Sequence, residues 1–114
     1  MSFFSFLFGS STQQSDTIII LDKPSFKRAI NTKKNQLVDV RTPSEFNGGH
    51  IKNAKNIDFF NQVDFMKKIN KLNKEEPVCL YCRSGNRSQK AARKLDSLGF
   101  KKIFDLKGGY MNWN

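Results

Sequence analysis

The sequence predicts an α/β domain: five strands in a mostly parallel sheet, with helices on both faces. Two observations carry this. Short β-branched or apolar runs alternate along the chain with stretches whose apolar residues have helical spacing. Glycines and prolines mark the turns between them. At 114 residues, 38% hydrophobic and 26% charged, the chain has room for one domain with one modest core and is not composed like a disordered segment.

Thr17-Ile18-Ile19-Ile20 is short and β-branched and reads as the first strand. Asp22 or Ser25 is placed to cap a helix running to Asn31, with Pro24 in its first turn and Phe26, Ala29 and Ile30 as its inward stripe. Gln36 to Val40 is the second strand and leads into Arg41. Thr42, three residues before Glu45, marks a capped helical turn that Gly48-Gly49 breaks. Ala54 to Ile57 is a short third strand. Asn61 to Leu72 is helical in period, with Val63, Met66, Ile69 and Leu72 as its apolar positions.

Glu75-Glu76-Pro77 turns into a fourth strand, Val78-Cys79-Leu80-Tyr81, which ends at Cys82. Ser88 to Leu98 reads as a helix that turns Ala91, Ala92, Leu95 and Leu98 inward and stops at Gly99. Ile103 to Leu106 is the fifth strand. Gly108-Gly109 then leads into a last helical turn carrying Tyr110, Met111 and Trp113. In such a sheet ligands bind beyond the carboxyl ends of the strands, and Arg41 and Cys82 both fall there.

The run Cys82-Arg83-Ser84-Gly85-Asn86-Arg87-Ser88 is the chemical centre of the sequence. A cysteine at a strand-to-helix turn faces backbone N–H groups and a helix N-terminus, and here two arginines lie close by. All of these favour an anion. The thiolate is the nucleophilic form of cysteine, so the loop predicts thiolate chemistry on a small anionic substrate. Arg83 and Arg87 are candidate anion binders. Ser84, Asn86 and Ser88 are candidate hydrogen-bond donors, with Asn86 or Ser88 alternatively capping the helix. Gly85 gives the loop the freedom to curl.

The other cysteine, Cys79, completes a C-x-x-C pattern, but it lies inside the apparent strand. Three extended residues separate two Cα atoms by about 10 Å, whereas a disulfide needs less than about 7 Å. Cys79 therefore reads as a small buried hydrophobe. Two cysteines and His50 are too few for a zinc site.

The formal net charge is +10, which suits anionic partners. The basic residues are scattered and form no nucleic-acid motif, so they read as a solvated surface and no nucleic-acid partner is expected. Residues 1–15 read as an apolar leader, Phe3 to Phe8, and a polar linker from Gly9 to Ser15; residues 16–114 read as the domain. The leader is too short for a signal core or a membrane span. It reads as a frayed or docking segment, with a weak membrane or partner anchor as the alternative.

Taken in order, Leu37-Val38-Asp39-Val40-Arg41, Glu45-Phe46, Gly49-His50-Ile51, Asn56-Ile57, the Cys82 to Ser88 loop, Leu106-Lys107-Gly108-Gly109-Tyr110 and Trp113 resemble the single-domain rhodaneses, or thiosulfate sulfurtransferases. The resemblance implies a rhodanese-like fold and a persulfide on Cys82. Sulfane sulfur would move from a small anionic donor such as thiosulfate to cyanide, a thiol or a protein acceptor, with no metal or organic cofactor. It also implies that Asp39 and Arg41 brace the loop and that His50 belongs to a structural turn. Tyr110 and Trp113 read as packing residues.

Two alternatives stand beside this reading. One is a persulfide carrier or rhodanese-like protein-binding module. The other is a phosphatase or arsenate reductase, whose loop resembles Cys, five residues, then Arg. Here Ser88 holds that sixth place and the arginine comes one residue early, at Arg87. A reactive thiol without a persuasive signal sequence points to the cytoplasm.

Overall fold

A computed structural model describes residues 15–114 and the backbone of residues 11–13. The elements in chain order are β1 (Ser11–Gln13), β2 (Ile18–Leu21), α1 (Lys23–Ile30), β3 (Gln36–Asp39), α2 (Pro43–Asn47), β4 (Lys55–Asn56), α3 (Gln62–Ile69), β5 (Val78–Tyr81), α4 (Asn86–Ser97) and β6 (Ile103–Leu106). A short 3₁₀ turn, Tyr110–Asn112, follows. The sheet order is β1-β2-β6-β5-β3-β4. The five strands from β2 to β6 are all parallel, as the alternation of elements predicts.

The sequence predicts no strand in the polar stretch from Gly9 to Ser15, yet β1 pairs antiparallel with β2, Ser11 opposite Leu21 and Gln13 opposite Ile19. An edge strand offers unpaired N–H and C=O groups that any extended backbone can satisfy, whatever its side chains. The apolar leader, Phe3 to Phe8, lies outside the described residues.

Local chemistry sets the helix starts. Asp22 caps α1 by accepting the Ser25 N–H at 3.0 Å, with proline in the first turn. Thr42 and Glu45 form a full capping box on α2. Asn61 caps α3 through the Asp64 N–H. α4 begins two residues before the expected Ser88, because Gly85 takes φ 110° at its N-cap and lets the chain enter the helix at Asn86. No side chain among the described residues caps this helix, so neither Asn86 nor Ser88 does so.

The sheet separates two cores. On one face Val38, Val40, Leu80, Cys82 and Ile103 pack against α3 and α4 through Phe65, Ile69, Ala91, Ala92 and Leu95. On the other, Leu21, Cys79, Tyr81 and Leu106 pack against Phe26 of α1. Cys79 and Cys82 are free thiols assigned to opposite cores, since side chains three apart on a strand point to opposite faces. Burial pushes the Cys79 thiol up to about 12.

Val63 does not belong to the inward stripe of α3. Val63 is 80% exposed, while Phe65 is fully buried. A three-residue spacing such as Val63-Met66-Ile69 drifts around a helix of 3.6 residues per turn. The inward pair is Phe65 and Ile69, at i and i+4, with Met66 and Leu72 partly buried beside it.

Candidate active site

From β3 the chain runs outward to β4 on one side, and β5 lies on the other side of β3. The carboxyl ends of β3 and β5 therefore flank a topological switch point, where open α/β sheets bind ligands. The register sets Asp39 beside Tyr81, and Val40 N–H donates to Tyr81 O at 3.0 Å. This places Arg41 and Cys82 at the same end of the sheet.

Cys82 Sγ lies on the floor of the loop, and the residue is 1% exposed. Gly85 N–H donates to Sγ at 3.0 Å. Ser88 Oγ lies 3.5 Å from Sγ and 3.2 Å from Gly85 O. Asn86, Arg87 and Ser88 open the twelve-residue helix α4, and the first-turn N–H groups of a helix have no carbonyl partner within it. A donor contact to sulfur and a helix N-terminus thus converge on one atom, an environment suited to negative charge.

The two loop arginines have different surroundings. Arg87 is engaged: its Nη1 and Nη2 donate to Glu45 Oε1 and Oε2 at 2.7 and 3.0 Å. Its guanidinium also lies 4.9 Å from the Phe60 ring. The Arg87 guanidinium holds the Glu45 carboxyl down at about 2, and hydrogen bonds from Thr42 add to this. Arg83 is exposed at the loop rim, as are Ser84 and Asn86.

Asp39 and Arg41 form a buried ion pair. Arg41 Nη2 donates to Asp39 Oδ2 at 2.8 Å and to Gly49 O at 2.6 Å, and Nε is 3.1 Å from both carboxylate oxygens. The guanidinium stacks 4.5 Å from the Tyr110 ring. Tyr110 N–H donates to Cys82 O at 2.8 Å, and Met111 N–H to Arg83 O at 3.0 Å. The pair is thus linked through Tyr110 to the backbone that carries the thiol.

Gly109, at φ 66°, permits that seam: a Cβ there would stand 2.4 Å from Arg83 O and 2.7 Å from Cys82 O. His50 is exposed. Its Nδ1–H donates to Phe46 O at 2.8 Å, and its ring stacks on Phe46 at 3.7 Å. Trp113 meets Phe26 edge-on at 6.0 Å.

Two participants escape the sequence reading. Glu45 is legible as a capping residue, but its grip on Arg87, 42 positions later, is a tertiary contact. Asp105 is 1% exposed and lies beside Ser88. The signal for it is an acidic residue alternating with Ile103 on the inward face of a strand. Among the described residues no three His, Cys, Asp or Glu side chains gather into a metal-binding group.

A five-stranded parallel sheet whose fourth strand delivers a cysteine into a loop of N–H donors defines a class of thiol-bearing α/β domain. The family model for the rhodanese-like domain matches residues 22–114, and the chain belongs to that family. Among its relatives is a thiosulfate sulfurtransferase GlpE of Tolumonas auensis, 36% identical over 77 residues, covering 68% of this chain and 70% of that protein. A tRNA uridine(34) hydroxylase of Pelagibacter ubique is 38% identical over 93 residues; the match covers 82% of this chain but only 31% of that longer protein. The crystal structure of a rhodanese-like domain protein from Staphylococcus aureus superposes with a TM-score of 0.73 at 30% identity, covering 83% of this chain and 90% of that one.

Proposed function

We propose that this protein is a thiosulfate sulfurtransferase that carries sulfane sulfur as a persulfide on Cys82. The observation behind this reading is the Gly85 N–H 3.0 Å from Cys82 Sγ at the start of α4. The Cys82 thiolate attacks the outer sulfur of thiosulfate, the S–S bond breaks, and sulfite leaves with the electron pair. The outer sulfur of Cys82–S–S⁻ extends from the loop floor toward the first-turn N–H groups of Asn86, Arg87 and Ser88, which stabilise its charge.

Cyanide or an acceptor thiolate then attacks that outer sulfur. Thiocyanate or a new persulfide leaves, and the Cys82 thiolate returns. Both steps are two-electron substitutions at sulfur and need neither metal nor organic cofactor. Two half-reactions through one covalent intermediate give ping-pong kinetics.

Arg83, exposed at the rim, supplies the charge that draws in the anionic donor, while Glu45 neutralises Arg87. With Arg87 committed and Ser88 in the sixth place after the cysteine, the loop suits a sulfur atom better than a phosphate. Chemistry that depends on a reduced thiol fits the cytoplasm.

The test is intact mass after thiosulfate, with Cys82→Ser as control. The expected result is a gain of one sulfur, about 32 Da for a covalent intermediate, which cyanide removes and the variant lacks. No gain with thiosulfate, or an equal gain in the variant, would overturn the reading.

A further inference from the structure

The net charge of +10 is scattered along the sequence but not over the fold. Residues 23–38, 46–57 and 106–114 carry eight Lys or Arg and no Asp or Glu. The fold gathers these three segments on the α1 face of the sheet, where Ile30, Leu37, Ile51 and Trp113 belong to one core. Cys82 belongs to the core on the other face.

A cavity of about 660 Å³ opens where the three segments meet. Ile30, Leu37 and Ile51 give it apolar walls, and Trp113 gives it an aromatic one. Lys27, Lys33 and Lys52 stand around it, all three exposed, and among the described residues no Asp or Glu lines it. Lys27 Nζ lies 5.6 Å from the centre of the Trp113 ring, and Lys23 Nζ lies 5.8 Å from it. Positive charge and aromatic surface are therefore held together. Two polar side chains of the lining are engaged within the chain: Asn35 Nδ2 donates to Ala29 O at 2.8 Å and Thr32 Oγ1 to Arg28 O at 3.3 Å. Asn31 and Asn53 remain as amides that can both donate and accept. Asn53 takes φ 73°, the one positive φ outside glycine among the described residues.

We propose that this cavity binds a free nucleotide, its phosphates on Lys33 and Lys52 and its base against Trp113. The volume is that of a small-molecule site. Lysines without an opposing carboxylate select an anion. A bare phosphate would leave the aromatic and apolar walls unused, and an apolar ligand would leave the lysines unanswered. A nucleotide joins in one molecule a planar ring, hydrogen-bonding edges and a multiply charged tail. Its base can lie on the indole as bases do on aromatic side chains generally. Its edges meet the amides of Asn31 and Asn53. The site shares no lining residue with the Cys82 to Ser88 loop.

Trp113 is the single tryptophan of the chain, so its fluorescence reports on this cavity. The full chain is titrated with ADP, with adenosine, with inorganic pyrophosphate and with a single-stranded RNA oligonucleotide. Calorimetry gives the affinity of each. Wild type is compared with Lys33→Glu and Lys52→Glu. Lys71→Glu makes the same change of charge at an exposed residue beyond α3, on the other face of the sheet. All three lysines are exposed, so the variants keep the fold, which thermal melts verify.

ADP is expected to change the Trp113 emission saturably. It is expected to bind at least about tenfold more tightly than adenosine or pyrophosphate, each of which lacks one half of the contacts. Lys33→Glu and Lys52→Glu are each expected to weaken ADP by at least about tenfold, the factor that one hydrogen bond to a charged group carries. Lys71→Glu is expected to leave the affinity unchanged. An emission indifferent to ADP at millimolar concentration would overturn the proposal. So would equal weakening in Lys71→Glu, which would mean general charge attraction only, or pyrophosphate or adenosine binding as tightly as ADP. Binding of the RNA oligonucleotide in place of ADP would overturn the assignment to a free nucleotide. None of these readouts depends on sulfur loading at Cys82, so this inference and the sulfurtransferase reading stand or fall separately.

Discussion

Replacing Asp105 with Asn should make the protein more stable at neutral and alkaline pH, by an amount that can be worked from the fold. Burial raises the carboxyl from an ordinary 3.8 to about 7. Below the unfolded value both states are protonated and the group makes no difference. Between that value and about 7 the unfolded chain ionises while the folded one keeps its proton, so stability falls as pH rises. Each unit of difference is about 1.4 kcal/mol, so the full interval corresponds to about 4 kcal/mol.

Asparagine has nearly the same shape and does not ionise. Asp105→Asn should therefore gain about 2–4 kcal/mol over wild type above neutrality, the lower figure allowing for the hydrogen bonding to Ser88. The gain should vanish near pH 4. Urea denaturation of both proteins at several pH values measures this directly. A stability difference independent of pH, or one that grows toward acid, would refute the argument.

Three further outcomes follow from the geometry. Glu45→Gln should destabilise by about 1–2 kcal/mol at neutral pH, as for a well-formed, partly buried ion pair. Because Arg87 holds the carboxyl down at about 2, the contribution is present above the ordinary carboxylate range and fades as pH falls toward 2; denaturation at pH 7 and pH 3 would check this. Gly109→Ala forces a Cβ against Arg83 O and Cys82 O at a positive φ, which should lower stability by about 2–4 kcal/mol. The same change should slow sulfur loading in the mass assay, since it pries the last turn from the loop. Phe65→Ala should lose about 3–5 kcal/mol, whereas Val63→Lys should stay within about 0.5 kcal/mol; thermal melts of the two variants would confirm which face of α3 is inward.

The parallel α/β architecture, the strand that ends at Cys82 and the Thr42–Glu45 cap were all legible in the sequence. Each depends on local rules: periodicity, β-branched runs, turn glycines and capping spacing act over a few residues. The position of Cys82 between an apolar strand and a glycine-bearing loop likewise made it the candidate nucleophile. The C-x-x-C pattern was dismissible for an equally local reason, because three extended residues hold its two Cα atoms about 10 Å apart, beyond the reach of a disulfide.

What needed the tertiary structure was partnership. Only the sheet order brings Arg41 level with Cys82, and only the docking of α2 against the loop lets Glu45 claim Arg87 and leave Arg83 exposed. The backbone pairing of β1, indifferent to its polar side chains, and the inward turn of Phe65 rather than Val63 were settled by packing. Above all, Asp105 becomes consequential because β6 lies beneath α4. Burial in low dielectric, a property of the folded interior, raises its proton affinity.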